Sequence, residues 1–269
     1  MIESGSRWAL PDLPSAIAWC SQRNATNIRC VLDVLGEYAR NERQTADSVQ
    51  SYLAAADAIS DNQLDASLTV KLSALGVLFD TVGCRNNALT IEQAAARRGV
   101  GFEIDMEGKG LVSVTLDVAQ ACAARERRVT LALQAYLNRT SDDLERIVQF
   151  DITPRIVKGA YVGSTSDFVE IQMRFKELVC ILGSHEAFFA VGTHDPGLVE
   201  WIKMQMDARK ELIEFGFLKG LSDRTKIAMA EDGWRVSEYV PFGENLGAYG
   251  SRRQKYLTQL QALGRSPLP

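Results

Sequence analysis

Eight short apolar, β-branched runs alternate along this chain with segments of helical period, and that alternation limits the possible folds more than any other feature. The strand-like runs are IRCVLDV (28–34), SLTVKLSAL (67–75), GFEIDME (101–107), RVTLALQAYL (128–137), PRIVKGAY (154–161), AFFAVGTHD (187–195), LIEFGFL (212–218) and WRVSEYVPFG (234–243). Each is followed by a helical pattern, from ADSVQSYLAAADAI (46–59) and TIEQAAARRG (90–99) to a last helix at about 247–262. SDDLERIVQF opens on Ser141 as an expected N-cap with acids behind it, and Pro196 stands at a helix start. Buried parallel strands read as continuous apolar runs, as these mostly do. The order predicts the α/β class and a (β/α)8 barrel, for which about 250 residues is the usual length. With 269 residues and no linker or low-complexity tract, a single barrel domain over 1–269 is expected. Residues 1–25 are expected to form a short N-terminal cap over one barrel end.

Composition narrows the function. A net charge of -4 with acids and bases intermixed gives no basic block for nucleic acid. The five cysteines are scattered, odd in number and without a CxxC pair, which suits a reduced, cytoplasmic protein. Two histidines make a His-rich metal site unexpected, so no metal is assigned. The N-terminus does not read as a signal peptide, and no apolar stretch approaches the roughly 20 residues of a membrane helix. The closing LTQLQALGRSPLP has some amphipathic character, which leaves a peripheral membrane contact open beside simple packing.

In this architecture chemistry collects at the C-terminal ends of the strands. Charged, polar and aromatic residues gather there: Glu37, Lys71, Asp105, Glu107, Gln134, Tyr136, Arg155, Lys158, Tyr161, Thr193, His194, Asp195, Glu214, Leu218 and Tyr239, with Tyr249, Arg252 and Arg253 in the last helix. Strand residues two apart share a face, so many of these converge on one mouth. Lys71, Arg155, Lys158, Arg252 and Arg253 outnumber the acids Glu37, Asp105 and Glu107. Such a mouth suits a ligand carrying a carboxylate or phosphates, with arginine as its bidentate partner.

The stretches VLDVLGEYARN, LTVKLSALG, EIDMEG, TLDV, LALQAYLNRTSDDL, RIVKGAY, GTHD, IEFGFLKG, YVPFGE and YGSRR, in this order and spacing, resemble the flavin-dependent proline dehydrogenases from about Cys30 to Arg253. The resemblance implies oxidation of proline or a close cyclic amino acid, with FAD as cofactor and a quinone or other electron acceptor. Arg252, Arg253 and Lys71 then correspond to a substrate-carboxylate clamp and Glu37 to the acid paired with it. Tyr161, Leu218, Tyr239 and Tyr249 correspond to the walls around the substrate ring, and Asp105 to the active-site aspartate. Gln134, Arg155, Lys158, Gly159, Thr193 and His194 correspond to flavin contacts.

The chain also departs from the family's pattern. The connection after RIVKGAY is shorter, with Val162 for a bulky residue. Gly216 stands for the usual Gln and Lys219 for Tyr. Gln254, Lys255 and Tyr256 follow the paired arginines, where the family has a hydrophobic residue or two and an acid. The departures fit either drift in a divergent but active member or a changed substrate, a substituted or differently sized cyclic amino acid. Two other readings stay open: a barrel enzyme forming a Schiff base on Lys71 or Lys158, and a non-catalytic barrel binding a metabolite or flavin.

Overall fold

The structure is a computed structural model that describes residues 7–124, 128–185, 187–244, 246–262 and 266. Eight parallel strands close into a barrel in sequential order: β1 (Ile28–Val34), β2 (Ala66–Val70), β3 (Gly101–Ile104), β4 (Val129–Gln134), β5 (Thr153–Val157), β6 (Phe189–Gly192), β7 (Ile213–Leu218) and β8 (Arg235–Phe242). The helices are α1 (Leu13–Asn24), α2 (Glu42–Asp61), α3 (Thr81–Arg97), α4 (Val112–Ala123), α5 (Thr140–Val148), α6 (Phe168–Ser184), α7 (Pro196–Met206), α8 (Asp223–Glu231) and α9 (Leu246–Ala262).

The strands are less uniformly apolar than their composition suggests. Their large apolar residues face outward onto the helices: Ile28, Cys30 and Leu32 on β1, Phe102 and Ile104 on β3, Ile213, Phe215 and Phe217 on β7. The alternate positions point into the lumen and are mostly polar, charged or small, with Val31 and Val157 among the exceptions. Hydrogen bonds between strands that are not neighbours show this: Arg29 reaches Glu103 at 3.4 Å and Glu214 at 3.3 Å, and Tyr239 reaches Asp105 at 2.5 Å. Bulky branched residues normally fill such a lumen. Here a set of ion pairs does.

Strand ends fall earlier than expected wherever the polar mouth begins. β2 stops at Val70, so Lys71 lies just beyond it and caps a short 3-10 turn at Leu72–Leu75. β3 stops at Ile104, leaving Asp105 and Glu107 in the following loop. β5 stops at Val157, and Gly159 then takes a left-handed φ of 124° that ends the extended run. α3 starts at Thr81, well before the expected start at 90, because the Asp80 carboxylate caps it by accepting from Gly83 N at 2.9 Å. Ser141 is not the cap of α5, which begins at Thr140 without a side-chain cap. The Thr140 hydroxyl instead donates to the Gln134 carbonyl at 2.6 Å.

The two ends of the chain have distinct positions. α1 packs outside β1 and β8, between α8 and α2. Trp19 Nε1 donates to Glu238 Oε1 at 2.6 Å, and Arg23 pairs with Asp223 at 2.7 Å. Of the segment expected to cap one end, then, residues 13–24 line the barrel wall, while Trp8 and Ala9 reach the mouth and pack with Leu35, Leu221 and Tyr249. Residues 1–6 lie outside the described residues, as do 263–265 and 267–269 of the closing stretch read as amphipathic. α9 lies across the mouth: its Tyr249 joins that cluster, its Arg252 meets Glu37 after β1, and its Tyr256 ring lies 6.5 Å from His194 after β6. Among the described residues no helix is long and apolar enough to cross a membrane.

On the outer wall, Lys226 of α8 and Glu238 of β8 are both fully buried and pair at 2.5 Å. Removing one partner of a buried pair leaves the other charge stranded, at a cost on the order of 3–5 kcal/mol. Lys226→Met is therefore expected to lower the urea midpoint sharply. An unchanged midpoint would show that Arg23 and Trp19 alone satisfy Glu238.

Candidate active site

The lumen charges lead up to the mouth. Arg155 of β5 pairs with Glu103 through one guanidinium nitrogen and with Asp105 at 2.5 Å through another. Asp105 accepts from Tyr239 and lies 3.3 Å from Lys71 Nζ. Lys71 also donates to Asp33 and, at 3.0 Å, to the Tyr239 hydroxyl oxygen. Burial opposes charge on Lys71, but Asp33 and then Asp105 outweigh it and hold the ammonium charged well above the ordinary lysine range. Burial likewise opposes charge on Asp105, and Lys71 and Arg155 reverse this and lower its pKa. Asp33 has no exposed surface and a raised pKa, with burial outweighing the pull of Lys71. Its Oδ2 has no hydrogen-bond partner.

α9 supplies the roof. Tyr249 stacks on Tyr239, with ring centroids 6.4 Å apart and planes 7° from parallel. Arg252 makes a bidentate pair with Glu37 and lies 4.8 Å from the centre of the Tyr161 ring. Arg253 lies 4.8 Å from the Tyr249 ring centre. Its Nε is buried without a hydrogen-bond partner, and among the described residues Arg253 makes no ion pair. Four of the five cations read as a surplus are thus matched by acids: Lys71 by Asp33 and Asp105, Arg155 by Glu103 and Asp105, Lys158 by Asp195 at 2.7 Å, and Arg252 by Glu37.

The cleft between floor and roof encloses about 1100 Å³ of space open to solvent. Every residue matched to a substrate or flavin role from the sequence lines it except Glu37, which stands behind Arg252. Lys71, Asp105, Tyr239, Arg252 and Arg253 meet there with Tyr161, Leu218 and Tyr249; Gln134, Arg155, Lys158, Gly159, Thr193 and His194 form the adjoining side. Sequence reasoning placed Glu214 at the mouth, whereas it lies on Arg29 in the lumen and does not line the cleft; it missed Asp33, which lies on Lys71, and Glu103, which lies on Arg155. Two-residue spacing was the available signal: Glu103 precedes Asp105 by two, so both face the lumen.

His194 is held on both sides. Its Nε2 accepts from Leu218 N at 3.0 Å, so Nδ1 carries the proton and donates to Ser222 Oγ at 2.8 Å. Burial, with smaller contributions from Lys226 and Arg253, lowers its pKa to about 3. The ring is neutral at ordinary pH and offers a ligand its face rather than a nitrogen.

A flavin fits the adjoining side. Ala132, Gly192, Gly216 and Ser237 give it a floor of small residues where a planar ring can lie. Gln134 has an amide N–H beyond the one it donates to the Glu107 carbonyl at 2.9 Å, and Thr193 Oγ1, which accepts from Asp195 N at 3.2 Å, keeps its hydroxyl proton to donate.

A polar, aromatic-walled cleft at the C-terminal mouth of a closed (β/α)8 barrel defines a barrel-enzyme site. A family model described as proline dehydrogenase matches residues 16–173. The chain belongs to the proline dehydrogenase family, oxidoreductases that act on CH–NH groups with a flavin. It is 27% identical to proline dehydrogenase 1 of Bacillus subtilis subsp. natto over 249 residues, covering 90% of this chain and 82% of the relative. It is also 27% identical to proline dehydrogenase of Deinococcus radiodurans over 234 residues, covering 82% and 76%. Its fold matches proline utilization A from Bdellovibrio bacteriovorus inactivated by N-propargylglycine, with a TM-score of 0.85 at 17% identity. That match covers 94% of this chain and 32% of the longer protein, so the chain spans about a third of it.

The lowered His194 pKa has a consequence for stability. The unfolded imidazole takes up a proton near pH 6.5, the folded one only near about 3. Stability from this group is present above pH 6.5 and is lost as pH falls toward 3. His194→Gln is expected to reduce the acid dependence of the unfolding free energy between about pH 6.5 and 4. A His194 NMR resonance that titrates near pH 6.5 in the folded protein would contradict the assignment.

Proposed function

We propose that this chain oxidises L-proline, or a closely related cyclic amino acid, to the pyrroline with FAD as cofactor. The observation that carries the reading is the roof: one guanidinium fixed by Glu37, and beside it half-buried Arg253, its Nε unpartnered and the side chain without an ion pair among the described residues. Such a pair suits a substrate carboxylate. Bound FAD supplies the acceptor for the hydride that leaves the carbon beside nitrogen.

The chain's own residues would do the rest. Arg253 binds the carboxylate directly, and Glu37 holds Arg252 in the geometry to share it. Fixing that end of the substrate orients the opposite carbon toward the cofactor side. Tyr161, Leu218, Tyr239 and Tyr249 enclose the ring and exclude water. Lys71 has its donors directed at Asp33, Asp105 and Tyr239, so it acts by fixing Tyr239 and Asp105 and by its charge. Cations near the substrate disfavour its ammonium form, which frees the nitrogen lone pair that the C=N bond requires. Arg155, tied to Glu103 and Asp105, and Lys158, tied to Asp195, support the cofactor side with Gln134, Gly159, Thr193 and His194.

A Schiff-base mechanism finds no support in this geometry. It needs a neutral lysine, and Lys71 is held charged while Lys158 is ion-paired.

Two measurements test the reading. The purified protein should show flavin absorption bands that bleach on anaerobic addition of L-proline; bands that persist would remove proline as substrate. Arg253→Met should keep the flavin and raise KM at least about 30-fold, the equivalent of about 2 kcal/mol for a lost charged partner. Unchanged kinetics would refute the clamp.

A further inference from the structure

The segment 158–167 joins β5 to α6 without regular structure and carries Gly159 and Tyr161 into the cleft. One residue outside the segment holds much of it. The Tyr136 hydroxyl accepts from Tyr161 N at 3.0 Å, and the Tyr136 carbonyl accepts from Ser164 N at 3.1 Å and Thr165 N at 3.4 Å. Its ring fits between Gly159 and Gly163, where a Cβ at either glycine would overlap it. The same hydroxyl donates to Gln134 Oε1 at 2.7 Å, while Gln134 Nε2 donates to the Glu107 carbonyl. These two bonds fix which end of the Gln134 amide is which. Burial raises the phenol pKa to about 12, so its proton stays in place as the donor.

We propose that Tyr136 is a positioning residue whose hydroxyl ties the substrate wall at Tyr161 to the Gln134 amide on the cofactor side, so that the two sides of the cleft keep one spacing. The proposal rests on the assignment of those two sides given above. It also accounts for the pair of glycines: any side chain at 159 or 163 would expel the ring that carries the hydroxyl.

Tyr136→Phe separates this role from packing, because it keeps the ring and removes only the bridging oxygen. The first readout is hydrogen exchange in the protein without substrate. The Tyr161 amide is expected to exchange at least about tenfold faster, while the Ser164 and Thr165 amides, bonded to the main-chain carbonyl, keep their protection. The second is kinetic: KM for L-proline is expected to rise about three- to tenfold, the range for one lost hydrogen bond, with a smaller relative change in kcat. Gly163→Ala, which displaces the ring with its hydroxyl intact, should give the same two changes. Wild-type exchange at Tyr161 and wild-type KM in Tyr136→Phe would overturn the proposal and leave Tyr136 a packing residue. The exchange result does not depend on turnover, so a wild-type protein inactive on proline would refute the substrate and leave the bridge to be decided by exchange.

Discussion

The ion pairs across the barrel lumen set the terms for everything above them. Arg29, Glu103, Arg155, Asp105, Lys71 and Asp33 form a connected series from the lower end of the barrel to the mouth. Isolated, any of these charges would be costly to bury; linked, each has an opposite charge within reach. Because each member has a partner on another strand, the mouth residues cannot move independently. Tyr239 is held from below by Asp105 and Lys71, and Tyr249 stacks on Tyr239. The roof is thus registered on the floor through one aromatic pair. Asp33 has one unpartnered oxygen and a raised pKa, because its burial outweighs the pull of Lys71.

The same interior explains what could and could not be read from the sequence. The β-branched runs mark all eight strands because the outward residues must be apolar to pack against helices. The inward residues escape that rule, so Arg29, Asp33 and Glu103 sit unremarked within runs that look uniformly hydrophobic. Charged residues at strand ends were legible as a mouth, since Lys71, Asp105 and Arg155 interrupt the pattern where a turn would suffice. Apart from Glu37, which the family resemblance matched to the arginine pair, which acid neutralises which base was not legible, because the partners are distant in sequence: Glu103 and Arg155 are 52 residues apart. The apparent cation surplus followed from that gap, and pairing among the described residues reduces it to Arg253.

Strand and helix limits were least legible where tertiary contacts override local pattern. Asp80 begins α3 well ahead of its apolar period, and Gly159 ends the extended run of β5 within a sequence that still reads as strand.

The placement of the two terminal helices carries the last consequence. In an eightfold repeat the helix after β8 would be expected to return along the outer wall beside β1. That place is occupied by α1, anchored through Trp19 and Glu238 and through Arg23 and Asp223. With the wall filled, α9 crosses the mouth instead, and its side chains enter the cleft from above. A pair of arginines on a strand would have to share the lumen with Lys71, Arg155 and their acids, where any added cation would find a carboxylate already present. Carried on a roof helix, Arg252 and Arg253 approach from outside that series, and among the described acids only Glu37 reaches up to engage one of them. That Arg253 makes no ion pair among the described residues therefore follows from the position of α1, an element that touches no part of the cleft.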